Sequence, residues 1–163
     1  MLTTERLMLN RLSHHENAFM LELVNTPGWL QFIGDRNIHN ASDAQEYIQK
    51  ILDNNDSLYW VVSRKEDNQP IGLISLIKRD YLDHHDIGFA FLPNCMNMGY
   101  AYEATHYLLN ILLKEYGYKT IYAIVLPENK SSIKLLERLH FNYEKIVQSE
   151  DETLKLYTIE SKS

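Results

Sequence analysis

The stretch from Asp86 to Ala104 (DIGFAFLPNCMNMGYAYEA) has the composition of a phosphate-binding site. An apolar strand is predicted to end at Pro93, and a polar loop containing Gly99 then leads into a long helix. The first turn of a helix presents unpaired N–H groups at the positive end of its dipole, which bind phosphate without Lys or Arg. Gly99 would let the backbone approach a pyrophosphate closely. An ordinary strand-to-helix turn has the same pattern, so this stretch alone does not establish a phosphate-binding site.

A second polar stretch follows the next predicted strand, from Val125 to Phe141 (VLPENKSSIKLLERLHF). Asn129 is predicted to cap a helix, with Ser132 at the third position of that helix. A helix cap has a structural role and does not by itself indicate function. The two stretches together are a stronger indication of function than either alone, because one helix and one strand separate them.

The segments that position these stretches alternate between strand and helix. Strands are predicted at residues 6–12, 58–63, 71–77, 86–92, 120–126, 142–147 and 153–159. Helices are predicted at residues 17–25 and 43–52, from about 101 to near 117, and at 130–139. Thr26-Pro27-Gly28 is interpreted as a turn that ends the first helix, and Ser42 with Gln45 as a capping box that opens the second. The order predicts an α/β (α+β) fold with a mostly antiparallel first half and one strand–helix–strand crossover.

Composition narrows the function classes. A length of 163 residues suits one domain, 1–163. The net charge of −6 argues against broad binding to nucleic acid and mildly favours a cationic substrate. No segment approaches the roughly 20 apolar residues that span a bilayer, and no secretory signal is recognisable. One cysteine, Cys95, excludes an internal disulfide. We expect a cytoplasmic protein, a monomer or homodimer, that binds neither nucleic acid nor membrane.

The motifs together resemble those of one enzyme family. GYAYEA (99–104) closely resembles the pyrophosphate-binding motif of GNAT-superfamily N-acetyltransferases, and VLPENKSSIKLLERLHF resembles their following strand and helix. TERLMLNRL, FIGDR, IGLISLIKRD and DIGFAFLP look like the branch that contains ribosomal-protein N-terminal acetyltransferases. The resemblance covers nearly the whole chain in the right order. It implies the GNAT fold: a mixed, mostly antiparallel central sheet, splayed at a V-shaped acetyl-CoA cleft, with helices on both faces.

The resemblance also implies which residues bind acetyl-CoA, the acetyl donor. The strand from Phe89 to Leu92 would bond the pantetheine through its backbone, and the loop from Met96 to Ala101 would receive the pyrophosphate. Asn129 would contact the pantetheine arm, and Ser132 would lie near the thioester sulfur as a candidate acid for the leaving thiolate. The implied cofactor-binding residues are Phe89, Ala90, Phe91, Leu92, Met96, Asn97, Met98, Gly99, Tyr100, Ala101, Asn129 and Ser132.

Four positions depart from the family pattern. Met96 replaces the usual Gln or Arg, and Asn97 stands where many relatives carry a second glycine. Leu136 occupies the position of the tyrosine that protonates the leaving thiolate in many GNAT enzymes. His140 replaces the usual glycine before Phe141. The loop works mostly through main-chain N–H groups, so we expect Met96 and Asn97 to weaken binding rather than abolish it.

The general base has two main candidates. Asp86 opens the strand beside the cofactor, and Glu103 lies in the first turns of the following helix. Their alternatives are a solvated strand-end carboxylate for Asp86 and a favourable helix-dipole contact for Glu103. The histidine pairs 14–15 and 84–85 lack the spacing of a metal-ligand set, so no metal is expected.

The acceptor pocket is expected to come from the variable segments between the motifs. Trp29, Phe32, Arg36 and Tyr81 are the candidate lining residues. Trp29 and Phe32 could equally belong to the core, and Arg36 could simply pair with the adjacent Asp35.

The sequence therefore predicts an acetyl-CoA-dependent N-acetyltransferase. The acceptor would be a primary amine, either a protein N-terminus or a small molecule, that attacks the thioester directly. The alternative is a non-catalytic acyl-CoA-binding or regulatory module, which Met96 and Leu136 motivate. A general nucleotide-binding protein is disfavoured, because no Walker-type Gly-Lys-Ser/Thr loop is present.

Overall fold

A computed structural model describes residues 1–162, which form one eight-stranded sheet and five α-helices. The strands are β1 Leu2–Thr3, β2 Leu7–Arg11, β3 Ser57–Arg64, β4 Pro70–Ile77, β5 Asp86–Phe91, β6 Thr120–Val125, β7 Asn142–Ser149 and β8 Glu152–Glu160. The helices are α1 Asn17–Val24, α2 Pro27–Phe32, α3 Ala41–Asp53, α4 Tyr100–Lys114 and α5 Lys130–Arg138. Short 3-10 turns occupy His14–Glu16 and Pro93–Cys95.

The sheet has the order β1-β2-β3-β4-β5-β6-β8-β7. All neighbouring strands are antiparallel except β5 and β6, which the predicted crossover through α4 joins in parallel. This observed architecture confirms the predicted fold class. The parallel pair lies in the interior of the sheet, where the functional stretches of the sequence meet.

Burial explains why the central strands read as continuous apolar runs. Ile71, Leu73, Ile74 and Leu76 of β4 are all at most 3% exposed. Successive strand residues point to opposite faces, so both faces of β4 are covered. The edge strand β7 is exposed along most of its length.

Helices α3 and α4 bury one stripe each. Ala44 and Ile48 of α3 are fully buried at a spacing of four residues, and Ala104, Leu108 and Leu112 of α4 repeat that spacing. Only residues 92–99 separate the end of β5 from the start of α4, so the amino-terminal end of α4 follows directly on β5. Within residues 1–162, no helix has the length and apolarity needed to cross a bilayer.

Two local predictions were wrong. Thr26-Pro27-Gly28 does not only end α1: the Thr26 hydroxyl accepts a hydrogen bond from Trp29 N–H and opens α2, with Pro27 in its first turn. Helix α3 is capped by Asn40, whose Oδ1 accepts from Asp43 N–H at 2.8 Å, and not by Ser42. At α3 the cap lies two residues before the predicted one, because the Asn40 side chain reaches the free N–H groups first.

Candidate active site

A cavity of about 910 Å³ opens where β5 and β6 diverge. The two strands pair only at Asp86 and Tyr122, next to a hydrogen bond of 2.9 Å from Tyr122 N–H to the carbonyl of His85. Beyond that point, residues 89–91 line one wall and residues 123–125 line the other. The sheet is therefore split by a cleft that begins at Asp86.

Strand β5 offers unpaired backbone groups to this cleft. Leu92 N–H donates to the carbonyl of Ile71 on β4 at 2.9 Å, and Ala90 pairs with Leu73 in the same ladder. Alternate residues of a strand direct their N–H and C=O groups to opposite sides. Phe89 and Phe91 therefore direct theirs across the cleft, where β6 no longer pairs with them.

The loop before α4 has the left-handed backbone that a close approach requires. Gly99 precedes the helix at φ 81°, and Asn97 adopts φ 62°. Asn is among the few residues with a side chain that tolerate this region, so Asn97 occupies the place of a glycine without losing the turn. No side chain caps α4, and the side chains of Met96 and Met98 are about half exposed. The N–H groups of residues 97–101 make no hydrogen bond to a described residue, whereas Met96 N–H donates to the carbonyl of Pro93 at 3.2 Å.

Helix α5 starts on the opposite wall. Asn129 Oδ1 accepts from Ser132 N–H at 3.3 Å, as the predicted cap, and also from the Ser131 hydroxyl. Asn129 and Ser132 both line the cavity, and the Ser132 hydroxyl makes no hydrogen bond to a described residue. The amide nitrogen of Asn129 likewise has no hydrogen-bond partner among the described residues, so both groups are available to a ligand.

Asp86, at the closed end of the cleft, is 2% exposed and paired with Arg79. Arg79 Nε lies 2.6 Å from Asp86 Oδ2, and both residues line the cavity. Burial raises the pKa of the Asp86 carboxyl, and the Arg79 guanidinium opposes this rise without cancelling it. The carboxylate is therefore not the solvated strand-end group of the alternative interpretation.

The four candidate acceptor residues all line the same cavity as Asp86: Trp29, Phe32, Arg36 and Tyr81. Trp29 is also part of the core, at 6% exposure, so it belongs both to the core and to the cavity lining. The sequence left open that Arg36 only pairs with Asp35, and the structure shows no such ion pair.

Comparison with known proteins bears on the whole of this arrangement. The family model described as "Acetyltransferase (GNAT) domain" matches residues 6–142. The chain belongs to the GNAT acetyltransferase family.

Individual proteins that resemble this chain have low sequence identity to it. The uncharacterized N-acetyltransferase YnaD of Bacillus subtilis (strain 168) is 29% identical over 140 residues, 85% of this chain and 80% of YnaD. The ribosomal-protein-S5-alanine acetyltransferase of Vibrio fischeri aligns with a TM-score of 0.82 at 16% identity, covering 98% of this chain and 96% of that chain. The spermidine N-acetyltransferase of Vibrio cholerae, in complex with CoA and spermine, has a TM-score of 0.80 at 19% identity and covers 97% of each chain. The GNAT fold is confirmed.

The other two departures from the GNAT pattern are local. Leu136 is 1% exposed and lines the cavity, so no phenol occupies that position of α5. His140 adopts φ 72° just after α5, and the N–H of Phe141 donates to the carbonyl of Leu136 at 3.0 Å. This is a helix end that normally takes glycine, and here a histidine adopts the same backbone.

Glu103 takes a different place from the one expected of a base. It is absent from the cavity lining. Its carboxylate accepts from the Thr4 hydroxyl, from Arg6 N–H at 2.9 Å and from Arg6 Nε at 2.7 Å. Arg6 also donates to the carbonyl of Met98 at 2.9 Å and stacks 4.4 Å from the centre of the Tyr100 ring. Glu103 and Arg6 thus tie the amino-terminal strands to the loop.

We expect Glu103→Gln to lower the free energy of unfolding by about 1 kcal/mol at neutral pH, since an ion pair that is partly exposed is screened by solvent. Burial alone would raise the pKa of Glu103, but the bonds from Thr4 and Arg6 outweigh it and lower that pKa below 4.5. The contribution is therefore complete above pH 4.5 and is lost as the pH falls through the lowered pKa. Urea unfolding across this pH range measures it. Glu66→Gln, which removes an exposed carboxylate 3.9 Å from Arg64, is the matched control. An equal effect of the two variants would contradict the assignment.

Sequence reasoning missed several polar residues of the cavity. On α5, Lys134 and Arg138 line it four residues apart, and that helical spacing was a usable signal. Tyr47 and Tyr59 come from α3 and β3, and nothing in their local sequence distinguishes them from core tyrosines.

Proposed function

We propose that the protein is an N-acetyltransferase that uses acetyl-CoA and transfers the acetyl group to a primary amine. The single observation that carries this proposal is the cleft between β5 and β6. It combines an unpaired strand edge at Phe89 and Phe91, a loop of free N–H groups at the start of α4, and an ionisable carboxyl, Asp86, at the closed end.

The residues present fit the pantetheine arm and the diphosphate of acetyl-CoA. An extended pantetheine arm can bond to the backbone of Phe89 and Phe91 as an added strand would, and the amide of Asn129 faces the same space. The diphosphate suits the loop from Met96 to Ala101, where the helix dipole favours negative charge. Lys134 and Arg138 add two cations to the same cavity.

Acetyl-CoA, when bound, supplies an acetyl group activated as a thioester. The chain must then bring an amine to that group, remove a proton from the amine and provide a proton for the leaving sulfur. A free alkyl amine has a pKa of about 10 and is mostly protonated at neutral pH. Asp86, directly or through one water, is the group placed to take that proton. The Ser132 hydroxyl is the candidate donor at the sulfur, and the N–H groups of Phe89 and Phe91 are the candidates to polarise the carbonyl.

The test has two stages. Calorimetry with acetyl-CoA measures binding, and release of the free CoA thiol in the presence of amines and N-terminal peptides measures transfer. Binding followed by release with an amine acceptor supports the proposal. Binding without release on any amine would favour the non-catalytic acyl-CoA-binding module, and absence of binding would refute acetyl-CoA as the donor.

A further inference from the structure

Two guanidinium groups of the cavity, those of Arg36 and Arg138, have no carboxylate partner among the described residues, and Arg138 lies 4.2 Å from the centre of the Tyr102 ring. Arg36 lies between α2 and α3, lines the cavity, and forms no ion pair with any residue from 1 to 162. The adjacent Asp35 instead accepts from Asn37 N–H at 2.8 Å. A Cβ added to Gly34 would lie 3.1 Å from Arg36 Nη1, so the glycine leaves room for the guanidinium to lie against the backbone. The charge of Arg36 is therefore available to a ligand.

One neutral donor near Arg36 lies in the same cavity, the phenol of Tyr59. Burial, with a smaller contribution from Tyr47, raises the pKa of Tyr59 to about 12, against the opposing charges of Arg79 and Arg36. Its phenol keeps its proton at neutral pH and remains a donor.

The charge of the cavity is opposite to that of the chain. The net charge of −6 mildly favoured a cationic substrate. The charged residues that line the cavity, however, are mostly cationic: Arg36, Arg79, Lys134 and Arg138 against Asp86 and Glu152. Asp86 and Arg79 neutralise each other, Glu152 is exposed, and Lys134 and Arg138 are assigned above to the diphosphate of acetyl-CoA, so Arg36 is the cation left for an acceptor. The charges nearest a ligand dominate its binding, because water and salt screen the distant ones.

We infer that the acceptor amine carries a carboxylate, which the Arg36 guanidinium binds. This inference rests on the proposed function, because it names the class of acceptor for the same cavity. A guanidinium binds a carboxylate through two parallel N–H donors, and the nearby phenol of Tyr59 can donate to a remaining lone pair. A polyamine has no group for Arg36 and would be repelled by it.

The carboxylate has two possible sources. It is the α-carboxylate in a free amino acid, and it is a side-chain carboxylate in a peptide that begins with an acidic residue. Two matched pairs separate these sources: L-phenylalanine against L-phenylalaninamide, and a peptide amide beginning with Glu against the same peptide beginning with Gln. Phenylalanine is chosen because Trp29 and Phe32 make part of the lining aromatic.

The decisive measurement is binding of each amine to the protein saturated with CoA, which cannot react. We expect the carboxylate member of at least one pair to bind about 10- to 100-fold more tightly than its neutral partner. The variant Arg36→Gln should remove most of that preference. Arg11→Gln removes the same charge from an exposed position outside this cavity and is the matched control.

The inference is overturned if neutral amines or spermidine bind as tightly as the carboxylate members, if neither carboxylate member binds, or if the preference survives Arg36→Gln. Thiol release with acetyl-CoA, measured on the same panel, tests the proposed function separately. Carboxylate-dependent binding without thiol release would contradict the proposed function and leave the inference standing. Thiol release with neutral amines alone would contradict the inference and leave the proposed function standing.

Discussion

Replacing Asp86 by Asn is expected to lower kcat by roughly 10²- to 10⁴-fold, the contribution of a positioned general base. Asp86 lies at the closed end of the cleft and lines the cavity, whereas Glu103, the other candidate, is held outside it by Arg6 and Thr4. Asn keeps the shape of the side chain and an oxygen that accepts from Arg79. The change therefore removes the proton acceptor with little change in packing.

The pH dependence of kcat identifies the base. Burial raises the pKa of Asp86, and Arg79 opposes the rise. A base acts only when ionised, so kcat should increase as the pH rises through this pKa and then level off. Removing the opposing charge in Arg79→Gln should raise the pKa further and move the rising limb to higher pH. In Asp86→Asn this limb should disappear.

Two controls accompany this series. Circular dichroism checks that each variant is folded, since a buried ion pair that loses one partner is destabilised. The Kd for acetyl-CoA should change little in Asp86→Asn, because the proposed contacts of the donor lie further along β5 and in the loop before α4. A folded Asp86→Asn variant with nearly normal kcat and an unchanged rising limb would show that Asp86 only positions Arg79.

The fold was predictable because each of its main elements carries its own periodicity. Residues 71–77 form an unbroken apolar run that predicts a strand buried on both faces, and the spacing of Ala104, Leu108 and Leu112 predicts an amphipathic helix. Helix α2 was missed because Pro27 and Gly28 are strong turn signals. Pro27 is equally suited to the first turn of a helix. The Thr26 hydroxyl caps α2, but a threonine in a sequence is too common to identify a cap by itself.

Candidate site residues that belong to one contiguous motif could be predicted from the sequence. Those that folding brings together from separate elements could not. The loop around Gly99 and the cap at Asn129 are contiguous motifs, and the structure brings both to the same cavity. Tyr59 and Arg79 are different: Tyr59 lies on β3, and Arg79 is the second residue after the end of β4. Only the register of β3 and β4 brings these two residues together, and no local pattern contains it.

Replacing Ser132 by Ala is expected to lower kcat by roughly 10²-fold, at the lower end of what a proton donor contributes. A thiol has a pKa of about 8.5, so the thiolate leaves more readily than an alkoxide and needs less assistance. The fold should tolerate the change. It is the backbone N–H of Ser132 that donates to Asn129, and Ala retains this group and has a higher helix propensity.

The neighbouring hydroxyl supplies the control for this prediction. Ser131 is exposed and bonds to the same Asn129 oxygen, so Ser131→Ala removes a hydroxyl from the same turn of α5 and should leave kcat nearly unchanged. Burst kinetics of thiol release and the Kd for acetyl-CoA separate a loss of turnover from a loss of binding. A weaker Kd with normal kcat in Ser132→Ala would make Ser132 a binding residue. Equal kcat in the two variants would remove its hydroxyl from the mechanism, because Leu136 leaves no phenol on α5 to take its place.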